Sequence, residues 1–352
     1  MRVRKSIVLV LVLAVIVPGV LFAGGRREAA PEVEVEVAGR VAIVFATGGL
    51  GDRSFNDAAF RGMAMAAEEL GIEFQQAEPT AIAEYDTFLS RFARTGDYDL
   101  IISIGFDQAE ALTEVAGQYP DQKFAIVDMV VDKPNVASYV YKEPERGFLL
   151  GVIAAAMTVK DDDPRINPDR KVVGFVGGME IPLIVANAAG YKAGVKYTNP
   201  EVDVLISYVG DWADPGRGKE LAISQINQGA DIIWGAAGRS GLGVILAAEE
   251  QNIFAMGADS DQQYEAPDNV LSSGMKYVDN TVFIAIQQVL DGTFQAGVNL
   301  LGVAEGGLGY VDTVLPGDVR AKVEAAEAKL ISGEYQIPDT LDAVDAWVEA
   351  RR

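Results

Sequence analysis

Histidine and cysteine are both absent from the 352 residues. Ser-His-Asp and Cys-His nucleophilic machinery is therefore excluded, as is any zinc site that needs imidazole or thiolate ligands. Disulfides cannot form, and no N-terminal cysteine is available to carry a lipid. Positive charge is scarce: 29 Lys and Arg stand against 51 Asp and Glu, a formal charge of −22. Such a surface is unsuited to phosphate backbones and anionic lipid, so no nucleic-acid partner is expected, and the acidity is read as serving solubility. Phosphate-binding loops are missing too. No GxxxxGK[ST] occurs, and Gly49-Leu50-Gly51 begins a dinucleotide fingerprint that fails at Ser54, where a third glycine belongs.

What is present begins with an N-terminal unit. Arg2, Arg4 and Lys5 precede an apolar run over residues 7–17, and Leu21-Phe22-Ala23 stands before Gly24-Gly25. This pattern is that of an export signal, residues 1–23, cleaved after Ala23. Pro18-Gly19 breaks the run short of the roughly 20 apolar residues that span a membrane. Residues 24–39, GGRREAAPEVEVEVAG, read as a charged, flexible linker. From Val41 onward, strand-like runs (41–46, 100–105, 123–128, 136–141) alternate with helical segments, the pattern of a parallel sheet covered by helices. The segment 160–171, KDDDPRINPDRK, interrupts; its aspartates lack the spacing of oxygen ligands and are read as a solvated loop. Alternation then resumes (172–178, 202–210, 231–237, 253–259) as a second α/β lobe. The late segments, an apolar run over 270–276, a helix, a Gly-rich stretch to Gly309 and a final helix over 316–333, imply that the chain crosses between lobes more than once. A cleft between the lobes follows.

Residues 47–57, TGGLGDRSFND, form a strand-to-helix loop, where open α/β sheets bind ligands. Ser54 and Asp57 have the spacing of a capping box. Phe55 is placed either to stack on a ligand ring or to staple the first helical turn, and the residues alone do not separate the two. Trp212, in VGDWADP of the other lobe, either completes a clamp for a flat ring or packs its own lobe. Asp128 ends a strand and could accept from ring nitrogens. Asp259 could accept from vicinal hydroxyls, with Lys276 donating to an oxygen beside it or standing as a surface charge. Asp259 and Asp261 could pair as acid and base only with a raised pKa. Asp52 and Ser54, beside Phe55, complete the candidate set.

The blocks GDRSFND, VYKEPERGFLLG, VGFVGGMEIP, GDWADPGRGKELA, DIIWGAAGRSGLG and MGADSDQ, in this order, resemble the basic membrane protein family of ABC-transporter substrate-binding proteins, of the purine nucleoside receptor A type. The resemblance runs from about Val41 to about Gly309. It implies a type I periplasmic-binding-protein fold: two Rossmann-like lobes joined by three crossover strands, residues 40–143 with 275–303 and residues 144–274 with 304–340. It also implies a non-enzymatic protein without a cofactor, expected as a monomer, which closes on a nucleoside and delivers it to a membrane permease. Phe55 and Trp212 would stack on the base, Asn56 and Asp128 would bond it, Asp259 and Lys276 would hold the ribose, and Gly238 would bring backbone to the ligand. Two departures stand out. Asn187, in ANAAG, replaces an aromatic usual in the family, which predicts a wider or more polar pocket. Family members are often lipoproteins, whereas this chain is expected to be soluble in the periplasm. A binder of sugars or other small polar ligands, a receptor-linked sensor and a nucleoside-cleaving enzyme are the alternatives.

Overall fold

The computed structural model describes residues 37–351; the signal segment 1–23 and all but the last three residues of the linker 24–39 lie outside them. The first lobe is built from β1 (Gly39–Val44), α1 (Phe55–Leu70), β2 (Ile72–Ala77), α2 (Tyr85–Thr95), β3 (Leu100–Ile104), α3 (Ala109–Gln118), β4 (Phe124–Val127) and β5 (Val136–Tyr141). The chain then enters α4 (Glu143–Met157), β6 (Val172–Gly177), α5 (Pro182–Thr198), β7 (Asp203–Tyr208), α6 (Pro215–Asn227), β8 (Ala230–Ala236), α7 (Gly241–Gln251), β9 (Phe254–Asp259) and β10 (Val270–Lys276) of the second lobe. It returns through α8 (Val278–Leu290) and β11 (Gly297–Leu301), and ends with β12 (Leu308–Tyr310), α9 (Gly317–Ile331) and α10 (Val344–Glu349).

Two six-stranded sheets result, ordered β11-β5-β4-β3-β1-β2 and β12-β10-β9-β8-β6-β7. All pairings are parallel except β10 with β12. The chain passes between sheets three times, after β5, after β10 and after β11, as a two-lobed periplasmic-binding-protein fold requires. Because β1, β3, β4 and β6, β8, β9 are parallel, their carboxyl ends gather the strand-to-helix loops on one side of each sheet.

Three strands escape the sequence reading: β2, β11 and β12. Each lies at a sheet edge or next to one, where a side chain need not be apolar. In β2 (IEFQQA) only Ile72 and Ala77 are buried, and in β11 Val298 and Leu300 are 58% and 51% exposed. Neither the apolar run nor the period-2 alternation develops.

Helices α4 and α5 pack unusually close, through Gly147 and Gly151 on one and Gly190 and Gly194 on the other. A Cβ at Gly151 would collide with Tyr191 O, and one at Gly194 with Phe148 O. Small residues four apart on both helices let the backbones touch, and α4 is buried from Arg146 to Met157. Since a backbone carbonyl cannot rotate away, Gly151→Ala is expected to lower stability by about 2–3 kcal/mol. Chemical denaturation measures this, and a loss below about 0.5 kcal/mol would mean that the helices part easily.

Candidate ligand-binding site

The strand ends of the two sheets enclose one cavity of about 670 Å³, its open mouth included. Phe55 and Phe106 line it from the first lobe, and Leu183, Ile184 and Trp212 from the second. Apolar walls with a few convergent charges are the usual make-up of a small-molecule site. Of the nine candidate residues, Asp52, Phe55, Asn56, Asp128, Trp212, Gly238, Asp259 and Lys276 line this slot. Ser54 does not.

The loop before α1 is held differently from the capping box expected. Ser54 makes no cap; its Oγ donates to Asp259 Oδ2 at 2.5 Å, across the lobes. Asp57 turns back to accept from Gly51 N (2.7 Å) and Arg53 N (3.0 Å). The amides at the start of α1 go instead to Asp52, which accepts from Ser54 N, Asn56 N and Asp57 N at 2.9, 2.8 and 3.1 Å. A carboxylate buried as deeply as Asp259 needs every donor within reach, and that need overrides the local cap. Burial pushes Asp52 up to about 6 despite its three amide donors. Asn56 Oδ1 accepts from Ala46 N at 3.0 Å, which pins the side chain in the slot wall.

Phe55 is half-buried, packing on the core while lining the slot. The same holds for Trp212. Its ring lies against Gly178, where any Cβ would strike it, and beside Gly238, whose φ of +55° only glycine takes readily.

Asp128 and Asp259 follow or end β4 and β9, and both adopt left-handed backbone, φ +77° and +64°. Such conformations are uncommon outside glycine and concentrate at functional sites. Lys276 Nζ lies 2.6 and 2.8 Å from the two oxygens of Asp128 and 2.6 Å from Glu143 Oε1. Arg146 reaches Asp259 Oδ1 (2.5 Å), Glu143 Oε2 (3.0 Å) and Asn187 Oδ1 (3.1 Å). Lys276 is 2% exposed, which corrects its reading as a surface charge; it also stands over the rings of Phe55 and Tyr141. Both Asp259 oxygens already accept one bond each, which leaves each a lone pair for a ligand hydroxyl, and the Lys276 ammonium faces two carboxylates.

This cluster holds three carboxylates and two cations, so one negative charge lacks a counterpart. Burial pushes Asp128 up to about 6, against the pull of Lys276 and with the repulsion of Glu143 added. Burial would also raise Asp259, but Arg146 and Lys276 overcome it and hold that carboxyl below its usual range. Glu143 is likewise lowered by Lys276 and Arg146 against its burial.

Asn187 corrects a further expectation. It is fully buried beneath the slot and lines no part of it. Its Nδ2 donates to Glu143 Oε2 (2.8 Å) and Leu183 O (2.9 Å), so Asn187 supports the ion cluster and does not shape the slot. Glu143, Arg146, Asp107 and Arg239 were missed by the sequence reading. For Glu143 and Arg146 a signal existed: they open α4, whose remainder is almost wholly apolar, so no solvated face was available to them. Arg239 Nη2 donates to Leu50 O at 2.6 Å, tying the second lobe to the glycine loop of the first.

The family described as ABC transporter substrate-binding protein PnrA-like (Bmp) matches residues 40–341. The chain belongs to this family. Among its relatives, an uncharacterized lipoprotein of Pyrococcus abyssi is 36% identical over 314 residues, covering 86% of this chain and 75% of the relative. Basic membrane protein A1 of Borrelia garinii is 31% identical over 309 residues, covering 85% and 88%. The crystal structure of an ABC-transporter solute-binding protein from Aeropyrum pernix superposes with a TM-score of 0.78 at 32% identity, over 88% of this chain and 97% of that one. A Bmp protein is a solute-binding component of an ABC system, which binds a small ligand and works with a membrane permease; it is not an enzyme.

Proposed function

We propose that the slot binds a nucleoside, purine nucleosides foremost, by closure of the two lobes, and that the protein delivers it to an ABC permease for import. The observation that carries this reading is that Phe55 and Trp212, from opposite lobes, line one slot of otherwise largely apolar walls into which the Asp128, Lys276, Arg146 and Asp259 cluster opens. A flat base between two aromatics is stabilised by roughly 1–3 kcal/mol per ring, and the ribose hydroxyls suit the Asp128, Lys276, Arg146 and Asp259 end. A ligand that touches both lobes shifts the open and closed populations by its differential affinity. The protein works as a monomer in the periplasm, exported by residues 1–23. The Pyrococcus relative is named a lipoprotein, whereas the 352 residues here contain no cysteine.

Phe55→Ala and Trp212→Ala are each expected to weaken guanosine or inosine binding by roughly ten- to a hundredfold. Calorimetric titration measures it. Unchanged affinity in both variants would remove the stacking clamp from the account.

A further inference from the structure

Four carboxylates line the slot, and in three of them both oxygens already accept from the protein. Both oxygens of Asp52 accept from backbone amides, both of Asp128 from Lys276, and those of Asp259 from Arg146 and Ser54. Asp107 differs. Its Oδ2 accepts from Tyr85 OH at 3.0 Å and faces Thr47 Oγ1 at 3.4 Å, while among the described residues its Oδ1 accepts no hydrogen bond from another residue and no Lys or Arg pairs with it. Tyr85 is fully buried, and its oxygen accepts from Thr47 N at 2.9 Å, so its hydroxyl hydrogen is committed to Asp107 and fixes the carboxylate's orientation. Asp107 follows β3, which lies between β4, preceding Asp128, and β1, preceding Phe55. It therefore stands on the same wall as the stacking ring. Burial raises its pKa with no cation to oppose it.

We propose that Asp107 reads the base: its Oδ1 accepts an N–H from the edge of a ring held between Phe55 and Trp212, and thereby selects nucleosides whose base carries a donor over those whose base carries none. The inference rests on the nucleoside reading above. A half-buried carboxylate oxygen stripped of water and given no donor is costly, so a ligand without an N–H is penalised instead of merely unrewarded.

The test is calorimetric titration of the full chain with guanosine, inosine, adenosine and purine riboside, whose base has no N–H. In the wild type the tightest of the first three should bind roughly ten- to a hundredfold better than purine riboside. Asp107→Ala should collapse that ratio to near one by weakening the donor-bearing nucleoside, with purine riboside changed by less than about threefold. Asp107→Asn, which keeps the volume, is the second variant in case the first does not fold, and should reduce the ratio by at least about threefold. Normal binding with an unchanged ratio, or an equal loss for all four ligands, overturns the role of Asp107 alone. Failure of all four to bind the wild type overturns the nucleoside reading and this inference with it.

Discussion

Arg146→Met is expected to cost about 3–5 kcal/mol of folding stability. Arg146 is 2% exposed, and its guanidinium neutralises Glu143 and Asp259 while donating to Asn187. Methionine fills much of the volume but leaves two deeply buried carboxylates with Lys276 as their sole cation, and Asp128 already draws on that ammonium. The pH dependence follows. In the wild type Asp259 and Glu143 are held below their ordinary range, so their contribution is present above the ordinary carboxylate pKa and is lost as pH falls through their lowered values. Without Arg146, burial would push both upward, and protonation would relieve the variant on acidification. Urea denaturation at pH 8 and pH 5 should thus show a large deficit that narrows at the lower pH. A deficit below about 1 kcal/mol at pH 8 would mean that water reaches the cluster and the ion network is not the support it is taken to be.

The second large effect sits away from the slot. Asp231, at the start of β8, is 3% exposed and accepts from Thr158 Oγ1 at 2.7 Å and Asn167 N at 2.9 Å, an arrangement that ties the 160–171 segment to the sheet. No cation pairs with it among the described residues, and burial pushes it up from 3.8 to about 7. The folded state therefore binds this proton more tightly than the unfolded chain. Ionisation in the folded state costs up to about 4 kcal/mol above pH 7, and that cost fades as pH falls toward 4. Asp231→Asn carries no charge at any pH. Relative to wild type it should be more stable at pH 8 than at pH 5 by about 2–3 kcal/mol. A difference between the two proteins that does not change with pH would contradict the raised pKa of Asp231.

The architecture was legible because it is written in core patterns. Apolar strands such as β1, β3 and β9 are buried on both faces and read as continuous runs, and the loops at their carboxyl ends locate a cleft without further information. Edge strands carry no such requirement, which is why β2 and β11 left no trace. At the site, residue type and loop position were enough to gather eight of nine candidates into one slot, but not to tell which groups remain available. Ser54 looked like a helix cap because capping is a local rule; its hydroxyl goes 205 residues along the chain to Asp259 instead. Asn187 looked like a slot residue because the family resemblance puts an aromatic at that place, yet it lies one helical turn beyond Leu183 and is fully buried beneath the slot. The ion cluster was hidden because a charge in sequence does not show whether it meets water or another charge. Only the fold brings Glu143, Arg146, Asp259 and Lys276 together.

The measurement that bears most directly on the account is calorimetric titration of the mature protein, unfolded and refolded to strip any carried-over ligand, against purine nucleosides, ribose and glucose. The account predicts a Kd in the micromolar range or tighter for at least one purine nucleoside, with ribose and glucose silent. Binding of a free sugar with every nucleoside silent would contradict it, and would make the Phe55 and Trp212 walls a sugar-binding slot on the same fold.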